Sequence, residues 1–193
     1  MNLFLINNNI LILIKMENKV KEFYNSYSKR FSQTRHAIWD VVINFNKSIK
    51  PNSKILDAGC GNGKNMVYLQ NDGHIVKGVD FSESLLDICK NKSLDIEYAD
   101  IRNLPYEDET FDYVISIAVI HHLSSYYEQD KALSEILRVT KKGGKVLFTV
   151  WAVEQDEHSR RDLELGSNLI PFEDTVRYYY VFNKTTFQEL ISR

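Results

Sequence analysis

The sequence predicts an α/β fold, an open and doubly wound sheet that is mostly parallel and carries helices on both faces. Short apolar runs alternate with stretches of helical periodicity between about residues 54 and 151. A segment with glycines at 59, 61 and 63 also separates the first run from the first helix of this alternation. Strands that alternate with helices form βαβ units, which build a parallel sheet.

Each element follows from its local pattern. From residue 17 to 45, apolar residues at helical spacing predict two helices with a break near 32–34. The apolar run 54–57 is the first strand, and 111–117 is apolar throughout, which indicates a strand buried on both faces. Gly143 and Gly144 are expected to turn the chain into the last strand. The predicted strands are 54–57, 74–80, 96–99, 111–117 and 145–151, and the later helices are 64–71, 84–91, 130–139 and 185–191.

Residues 154–174 are polar and irregular and are expected to form a loop. The length of 193 residues favours one domain, which we place at 16–193. Residues 1–15 form an apolar extension, for which Met16 as the true start is the alternative. Asparagines at 7–9 split its apolar run, so neither a membrane span nor a signal peptide is expected.

The charge and the cysteine content exclude some classes of protein. The net charge of −2 excludes a uniformly basic nucleic-acid binder, but ten basic against four acidic residues at 15–64 leave a local +6. That segment is either a site for a polyanion or a solvated helix face. Two cysteines cannot build a disulfide framework, which favours a reducing compartment.

The glycine-rich turn reads Asp-Ala-Gly-Cys-Gly-Asn-Gly at 57–63. It lies where ligands of doubly wound sheets bind, at the carboxyl end of a strand. Lys64 breaks the dinucleotide pattern G-x-G-x-x-G, and Asn65 breaks the P-loop pattern. The remaining pattern, D-x-G-x-G-x-G, is that of S-adenosylmethionine (SAM) binding; a plain tight turn is the alternative.

Two acidic residues end neighbouring strands. Asp80 lies about twenty residues after the glycines and could accept hydrogen bonds from both ribose hydroxyls, or cap the next helix. Asp100 could accept a hydrogen bond from the adenine amino group while Ile101 packs on the ring, or be an ordinary loop aspartate.

His121 and His122 follow the fourth strand, which we expect to neighbour the first. Adjacent side chains should point apart, and no third ligand lies nearby in the sequence, so no metal is predicted. One imidazole is expected to line the pocket and the other to cap a helix or pack beneath it.

Several blocks together resemble the tRNA wobble-uridine carboxymethyl methyltransferases, a class I SAM-dependent family with a Rossmann-like fold that includes the methyltransferase domain of the AlkB-homologue tRNA-modifying enzymes. The blocks are FSQTR (31–35) with Trp39, LDAGCGNGK (56–64), ISIAVIHHLS (115–124), VWAVEQ (150–155) and RYYYVF (177–182). The glycine block alone indicates only the superfamily.

The resemblance implies a SAM-dependent enzyme that forms the methyl ester of 5-carboxymethyluridine at the tRNA wobble position. It implies catalytic roles for Arg35 and His121 and substrate contacts from these two, Trp39 and His122. The residues that we predict to bind the cofactor are Asp57, Gly59, Cys60, Gly61, Asn62, Asp80, Phe81, Asp100, Ile101 and Ala118. A carboxylate is ionised at neutral pH and needs no general base, so orientation by a guanidinium such as that of Arg35 would suffice.

The resemblance further implies a heterodimer with a small zinc-ribbon activator protein, tRNA as partner, no membrane, and a cytoplasmic location with the nucleus as a second compartment. The family fold continues with a sixth and a seventh strand, which we expect beyond Arg193, so the domain is predicted to be short at its carboxyl end. Two other functions stay open: a SAM methyltransferase for a small carboxylate or another RNA site, and a non-catalytic SAM-binding module.

Overall fold

The computed structural model describes residues 8–154 and 163–192, with side chains from residue 18 onwards. The helices are α1 (Asn8–Gln33), α2 (Asp40–Lys47), α3 (Lys64–Asn71), α4 (Glu83–Lys90), α5 (Tyr126–Val139) and α6 (Lys184–Ile191), with a 3₁₀ turn at Ile120–His122. The strands are β1 (Lys54–Ala58), β2 (Ile75–Asp80), β3 (Ile96–Tyr98), β4 (Phe111–Ile117), β5 (Thr140–Thr149), β6 (Gly166–Phe172) and β7 (Thr175–Val181).

The central sheet has the strand order β3-β2-β1-β4-β5, and every neighbouring pair is parallel. The predicted doubly wound α/β fold is confirmed, including the expected pairing of β1 with β4. Because all five strands run the same way, their carboxyl ends meet at one edge of the sheet, where ligands bind in such folds.

Both faces of the sheet are covered, because successive residues of a strand point to opposite faces. In β1, Ile55 packs into the cluster formed with α3 and α4, whereas Leu56 packs into the cluster formed with α5 and α6. Val114 and Ile115 of β4 divide in the same way. The prediction that β4 is buried on both faces is therefore confirmed.

Two predicted element starts differ from the structure by five residues or more. Helix α1 begins at Asn8 rather than near residue 17, and β5 begins at Thr140 rather than at residue 145. Gly143 and Gly144 therefore lie within β5, beside a register irregularity against β4 at Phe111/Tyr113, and do not form the turn before it.

The loop prediction for 154–174 is wrong for its second half. Strands β6 and β7 form an antiparallel hairpin with a two-residue turn at Glu173 and Asp174. Glu173 has a positive φ of 52°, as tight hairpin turns require, although no glycine marks this turn in the sequence. Residues 155–162 lie outside the described residues.

Helix α1 packs on β7 and α4 and closes one side of the sheet's carboxyl edge. Val20, Phe23 and Tyr24 of α1 are buried against Leu85 of α4 and Tyr178 of β7. Helix α1 therefore forms one wall of a cleft at this edge of the sheet.

No helix within the described ranges is both long and apolar enough to cross a bilayer. Residues 1–7 lie outside the described residues, and the division into an extension and one domain stays a prediction. In the described part of the chain β5 is the outer strand of the central sheet, and the expected sixth and seventh strands of that sheet also stay a prediction.

Candidate active site

A cleft of about 230 Å³ opens at the carboxyl ends of the strands. The residues that line it come from the ends of β1 to β5, from α1 and the link to α2, and from β7. They are Val20, Tyr24, Phe31, Arg35, Trp39, Gly59, Cys60, Gly61, Asn62, Lys64, Asn65, Asp80, Phe81, Leu85, Ala99, Asp100, Ile101, Arg102, Ile117, Ala118, Val119, His121, His122, Leu123, Trp151, Arg177 and Tyr179.

The glycine turn forms the floor of the cleft. Gly59 has φ +89°, and a Cβ atom there would lie 2.3 Å from Cγ2 of Val119. Gly63 caps α3 with φ +73°, and its Cβ would lie 2.3 Å from Cδ1 of Leu94. Both positions therefore need glycine for conformation and for space. Asn62 donates hydrogen bonds to Ser32 Oγ and to the Arg35 carbonyl oxygen, each at 3.2 Å, and so fastens the link after α1 to the turn.

Asp80 lies at the end of β2, as predicted, and its carboxylate is buried. One oxygen accepts a hydrogen bond from Gly61 N–H and the other from Ser82 N–H, each at 2.9 Å. Burial raises the pKa of Asp80, and these backbone donors oppose the rise. Each carboxylate oxygen has a second lone pair, so the group can still accept hydrogen bonds from a diol in the cleft.

Asp57 is not on the cleft wall, contrary to the prediction of a direct cofactor contact. Its side chain is fully buried beneath the glycine turn, and neither carboxylate oxygen has a hydrogen-bond partner among the described residues. Burial, reinforced by the nearby charge of Asp80, raises the pKa of Asp57 to about 7, and Lys64 opposes the rise. A positive charge in the cleft would stabilise the ionised form of this carboxyl.

Asp100 and Ile101 reach the cleft after β3, but Asp100 is already engaged. Nε of Arg102 contacts both of its carboxylate oxygens, at 2.9 and 3.0 Å, and Arg102 also bonds Glu128 at 2.7 Å. The hydrogen bonds from Arg102 hold the pKa of Asp100 below its ordinary value, against the opposing effect of burial. Arg102 is a cleft residue that the sequence reasoning missed.

The two histidines do not point apart as predicted. Their rings meet edge to face with centroids 4.5 Å apart, and both rings line the cleft. His121 Nδ1 accepts a 3.3 Å hydrogen bond from Trp151 N–H, which leaves the proton of the neutral ring on Nε2. Burial, with smaller effects from His122 and Arg177, lowers the pKa of His121 well below its ordinary value, so the ring is neutral at pH 7. In the described ranges no group of three potential ligands is placed to hold a metal ion.

Arg35 and Trp39 stand at the rim of the cleft on the link between α1 and α2. Arg35 is exposed; its guanidinium lies 5.8 Å from the ring centre of Phe31 and donates to the Thr34 carbonyl oxygen at 3.2 Å. Trp39 is 42% exposed, with Nζ of Lys64 5.3 Å from its ring centre. An exposed tryptophan beside a lysine provides a flat surface on which a base can stack.

Further cleft residues were missed, among them four polar or aromatic side chains. Tyr24 comes from α1, Trp151 follows β5, and Arg177 and Tyr179 are alternate residues of β7. Trp151 and Tyr179 stack at a centroid distance of 4.4 Å, and Tyr179 lies 4.9 Å from the ring of His121. The block at 177–182 contributed to the family resemblance, but the sequence analysis assigned no role in the site to its residues.

The chemistry of the cleft fits SAM. The cofactor carries a positive sulfonium and an ammonium group, and the carboxylate of Asp80 faces the cleft while the unpartnered carboxyl of Asp57 lies beneath its floor. A side chain at Gly59 would collide with Val119, so only glycine allows the turn to adopt this conformation at the edge of the cleft. Asp80 would hold the ribose, Phe81 and Ile101 would contact the adenine, and Gly61, Asn62 and Ala118 would border the methionine part.

Comparison with known proteins leads to the same class. Residues 56–148 match the family described as "Methyltransferase domain". A tRNA (carboxymethyluridine(34)-5-O)-methyltransferase of Arabidopsis thaliana is 47% identical over 141 residues, which are 72% of this chain and 34% of that protein. This chain thus spans about a third of the length of that relative.

Two solved structures share the fold at 16% identity. A Burkholderia thailandensis 1,6-didemethyltoxoflavin-N1-methyltransferase with bound S-adenosylhomocysteine has a TM-score of 0.68, over 100% of this chain and 80% of that one. A putative methyltransferase in complex with the Haloferax volcanii Trm112 methyltransferase activator has a TM-score of 0.64, over 90% of this chain and 74% of that one.

The sheet order, the glycine turn and the acidic residue at the end of β2 are the features of a class I SAM-dependent methyltransferase domain, and residues 56–148 match the methyltransferase family. Within that class its sequence is homologous to the tRNA carboxymethyluridine methyltransferases.

Proposed function

We propose that this chain transfers the methyl group of SAM to the carboxylate of 5-carboxymethyluridine at the wobble position of tRNA. The homology to the Arabidopsis protein of that name supports the substrate class. The observation that carries the proposal is the separation of charge across the cleft.

The acidic lining residues lie on one side of the cleft, where Arg102 is already paired with Asp100 and Glu128, and the buried Arg177 lies on the other. Asp80 and Asp100 follow β2 and β3, at one end of the sheet order. Arg177 on β7 lies with His121 and Tyr179 on the side of β4 and β5, and Arg35 lies at the rim. Among the described lining residues no acidic side chain comes from that second side. The cleft is thus arranged for a cationic donor and an anionic acceptor.

When bound, SAM supplies a methyl group on a sulfonium centre, whose transfer to a carboxylate oxygen leaves the electron pair of the broken bond on sulfur and moves no proton. The residues then have to position the acceptor and exclude water. Neutral His121 offers Nε2–H as a donor to an acceptor oxygen. Phe31 and Trp39 offer aromatic faces to the base at the rim.

The direct test uses purified protein, SAM and tRNA that carries 5-carboxymethyluridine, with and without the activator protein, and nucleoside mass spectrometry as the readout. The expected product is the methyl ester at the wobble uridine. The same tRNA with an unmodified wobble uridine is the control and should gain no methyl group. Absence of the ester in both arms would overturn the proposal.

The two other functions give different results in the same assay. Methylation of small free acids without tRNA would indicate a small-carboxylate enzyme. Calorimetric binding of SAM without methyl transfer to any acceptor would indicate a non-catalytic module.

We also propose a heterodimer with a small zinc-ribbon activator. The Haloferax complex supports it, because its methyltransferase has the same fold and is named together with a methyltransferase activator. Co-purification of the two proteins at a fixed 1:1 ratio would support the heterodimer, and elution as separate species would contradict it.

A cytoplasmic location, with the nucleus as second compartment, is proposed as well. The described structure has Cys60 and Cys89 as free buried thiols, which suits a reducing compartment. Imaging of the tagged protein in cells is the test.

A further inference from the structure

The side chain of Arg177 is buried in the wall of the cleft. It is 6% exposed, and it is the only buried lysine or arginine among the residues that the structure describes. Its guanidinium lies 4.9 Å from the ring centres of Phe23 and Phe172 and 5.3 Å from that of Tyr179. These aromatic faces stabilise a cation but provide no counter-charge.

Arg177 has no acidic partner in the described part of the chain. Its Nε atom has no hydrogen-bond partner, and no described carboxylate forms an ion pair with it. The contrast with other arginines is clear, since Arg102 bonds Asp100 and Glu128, and Arg138 bonds Glu135 and Asp108. A guanidinium that is withdrawn from water without a counter-ion is costly, unless a ligand provides the anion.

The surroundings of Arg177 are consistent with an anion site. Burial, with a smaller contribution from the positive charge of Arg177, lowers the pKa of both His121 and His122, so these rings carry no competing positive charge. Tyr179, two residues further along the same face of β7, lies against His121, which places the guanidinium next to the proposed acceptor side.

We propose that Arg177 binds the carboxylate of the substrate and that this residue, inside the cleft, provides the preference for an acid over a neutral side chain at the wobble base. This inference rests on the proposed function and makes it more specific. Arg35 was predicted from the sequence to orient the carboxylate. With Arg177 in that role, the exposed guanidinium of Arg35 would instead contact a backbone phosphate at the rim of the cleft.

The chemistry determines which kinetic constant should change. The carboxylate loses its charge when the ester forms, so a guanidinium contact is strongest before transfer and contributes mainly to substrate binding. Removing Arg177 should therefore raise KM for the acidic substrate more than it lowers kcat.

The test compares two anticodon stem-loops that differ in one group, with 5-carboxymethyluridine or with its neutral amide, 5-carbamoylmethyluridine, at the wobble position. Dissociation constants are measured for the full chain, with its activator if binding needs it, in the presence of S-adenosylhomocysteine. The wild type should bind the acid at least about tenfold more tightly than the amide, the size expected for a buried charge pair. In Arg177→Met the preference should fall below about threefold, while binding of the amide changes little.

A melting curve separates this role from a structural one. Without substrate, Arg177→Met should melt at the wild-type temperature or above it, because the variant removes an uncompensated buried charge. A clear fall in melting temperature with the acid preference kept would overturn the inference.

If Arg177→Met does not fold, the same binding measurements are made with Arg177→Lys. It keeps the charge but loses the bidentate fork, so the preference for the acid should persist with affinity weakened at least about threefold. Unchanged affinity in this variant would overturn the inference. If the wild type forms no ester at all, the proposed function itself fails; if it forms the ester and Arg177→Met still discriminates, only this inference fails.

Discussion

The hydroxyl group of Tyr24 donates a hydrogen bond of 2.8 Å to Nε2 of His122, although 98 residues separate them in the chain. On the other side of the ring, Nδ1–H of His122 donates to the Tyr178 carbonyl oxygen at 2.9 Å. These two bonds fix one tautomer of a buried ring and join α1, the end of β4 and β7 at the cleft. Burial lowers the pKa of His122 to about 4, so the arrangement is independent of pH near neutrality.

Tyr24→Phe should therefore destabilise the protein and loosen the cleft. The change leaves a buried acceptor on His122 without a partner, which costs about 1–3 kcal/mol. Denaturant unfolding measures this loss. Tyr27→Phe is the matched control on the same helix, since it removes an exposed hydrogen bond to Asp174 and should cost well under that amount. Equal losses in the two variants would contradict the role of the buried bond.

The central sheet could be predicted because its strands carry strong local signals. β1, β2 and β4 are largely apolar runs, β1 is followed by Gly59 and β2 ends at Asp80, so both position and burial followed from the pattern. The turn of the β6–β7 hairpin has no such signal. Pro171 lies within β6, and the turn uses Glu173 at positive φ where glycine or asparagine would be expected.

The residues of the site likewise divide into those that could be predicted from the sequence and those that could not. Residues on the glycine turn and at strand ends follow from the topology, which places the carboxyl ends of parallel strands at one edge. The burial of Asp57 and of Arg177 depends on side-chain packing between distant segments, and the bond from Arg102 to Glu128 joins residues that are 26 positions apart. Sequence spacing contains no information on such contacts.

Asp57 should make the stability of the free protein depend on pH in a defined direction. Its pKa is about 7 in the folded state and about 4 in the unfolded chain, so between these values the folded state holds a proton that the unfolded state has lost. Stability from this group is thus present below pH 4 and is lost as pH rises towards 7. Relative to the wild type, Asp57→Asn should melt at increasingly higher temperature as pH rises from 5 to 8.

Asp112→Asn is the control of opposite sign. Lys141 Nζ and the backbone N–H of Lys54 each donate to the Asp112 carboxylate at 2.8 Å, and these bonds hold its pKa below the ordinary value. This variant should be less stable than the wild type at pH 7, with the difference shrinking as pH falls below 4. Calorimetry at four pH values measures both trends, and parallel curves for wild type and Asp57→Asn would refute the assignment.

His121 should act as a neutral hydrogen-bond donor. Because the pKa of His121 lies well below the ordinary value, kcat/KM for tRNA, measured at saturating SAM, should show no acid limb near pH 6.5 that depends on this ring. His121→Phe keeps an aromatic ring but loses Nε2–H and should lower kcat/KM about tenfold. His36→Ala, an exposed histidine on the α1–α2 link, should leave kcat/KM unchanged. An acid limb near pH 6.5 that disappears in His121→Phe would show instead that the ring titrates in catalysis.

The basic segment at 15–64 should bind phosphate groups of the tRNA. Lys29 and Arg30 are exposed near the end of α1, and Arg30 has only a surface ion pair with Glu173, at 3.4 Å. Replacement of both by alanine should weaken tRNA binding and reduce the slope of log K against log salt by about 1 for each phosphate that is no longer neutralised. Methyl transfer on bound tRNA at saturation should change little, since neither residue lines the cleft.

The double variant Lys90→Ala and Lys142→Ala removes two exposed charges outside the segment and should leave the slope unchanged. An equal fall of the slope in both double variants would mean that tRNA responds to net charge and not to this segment.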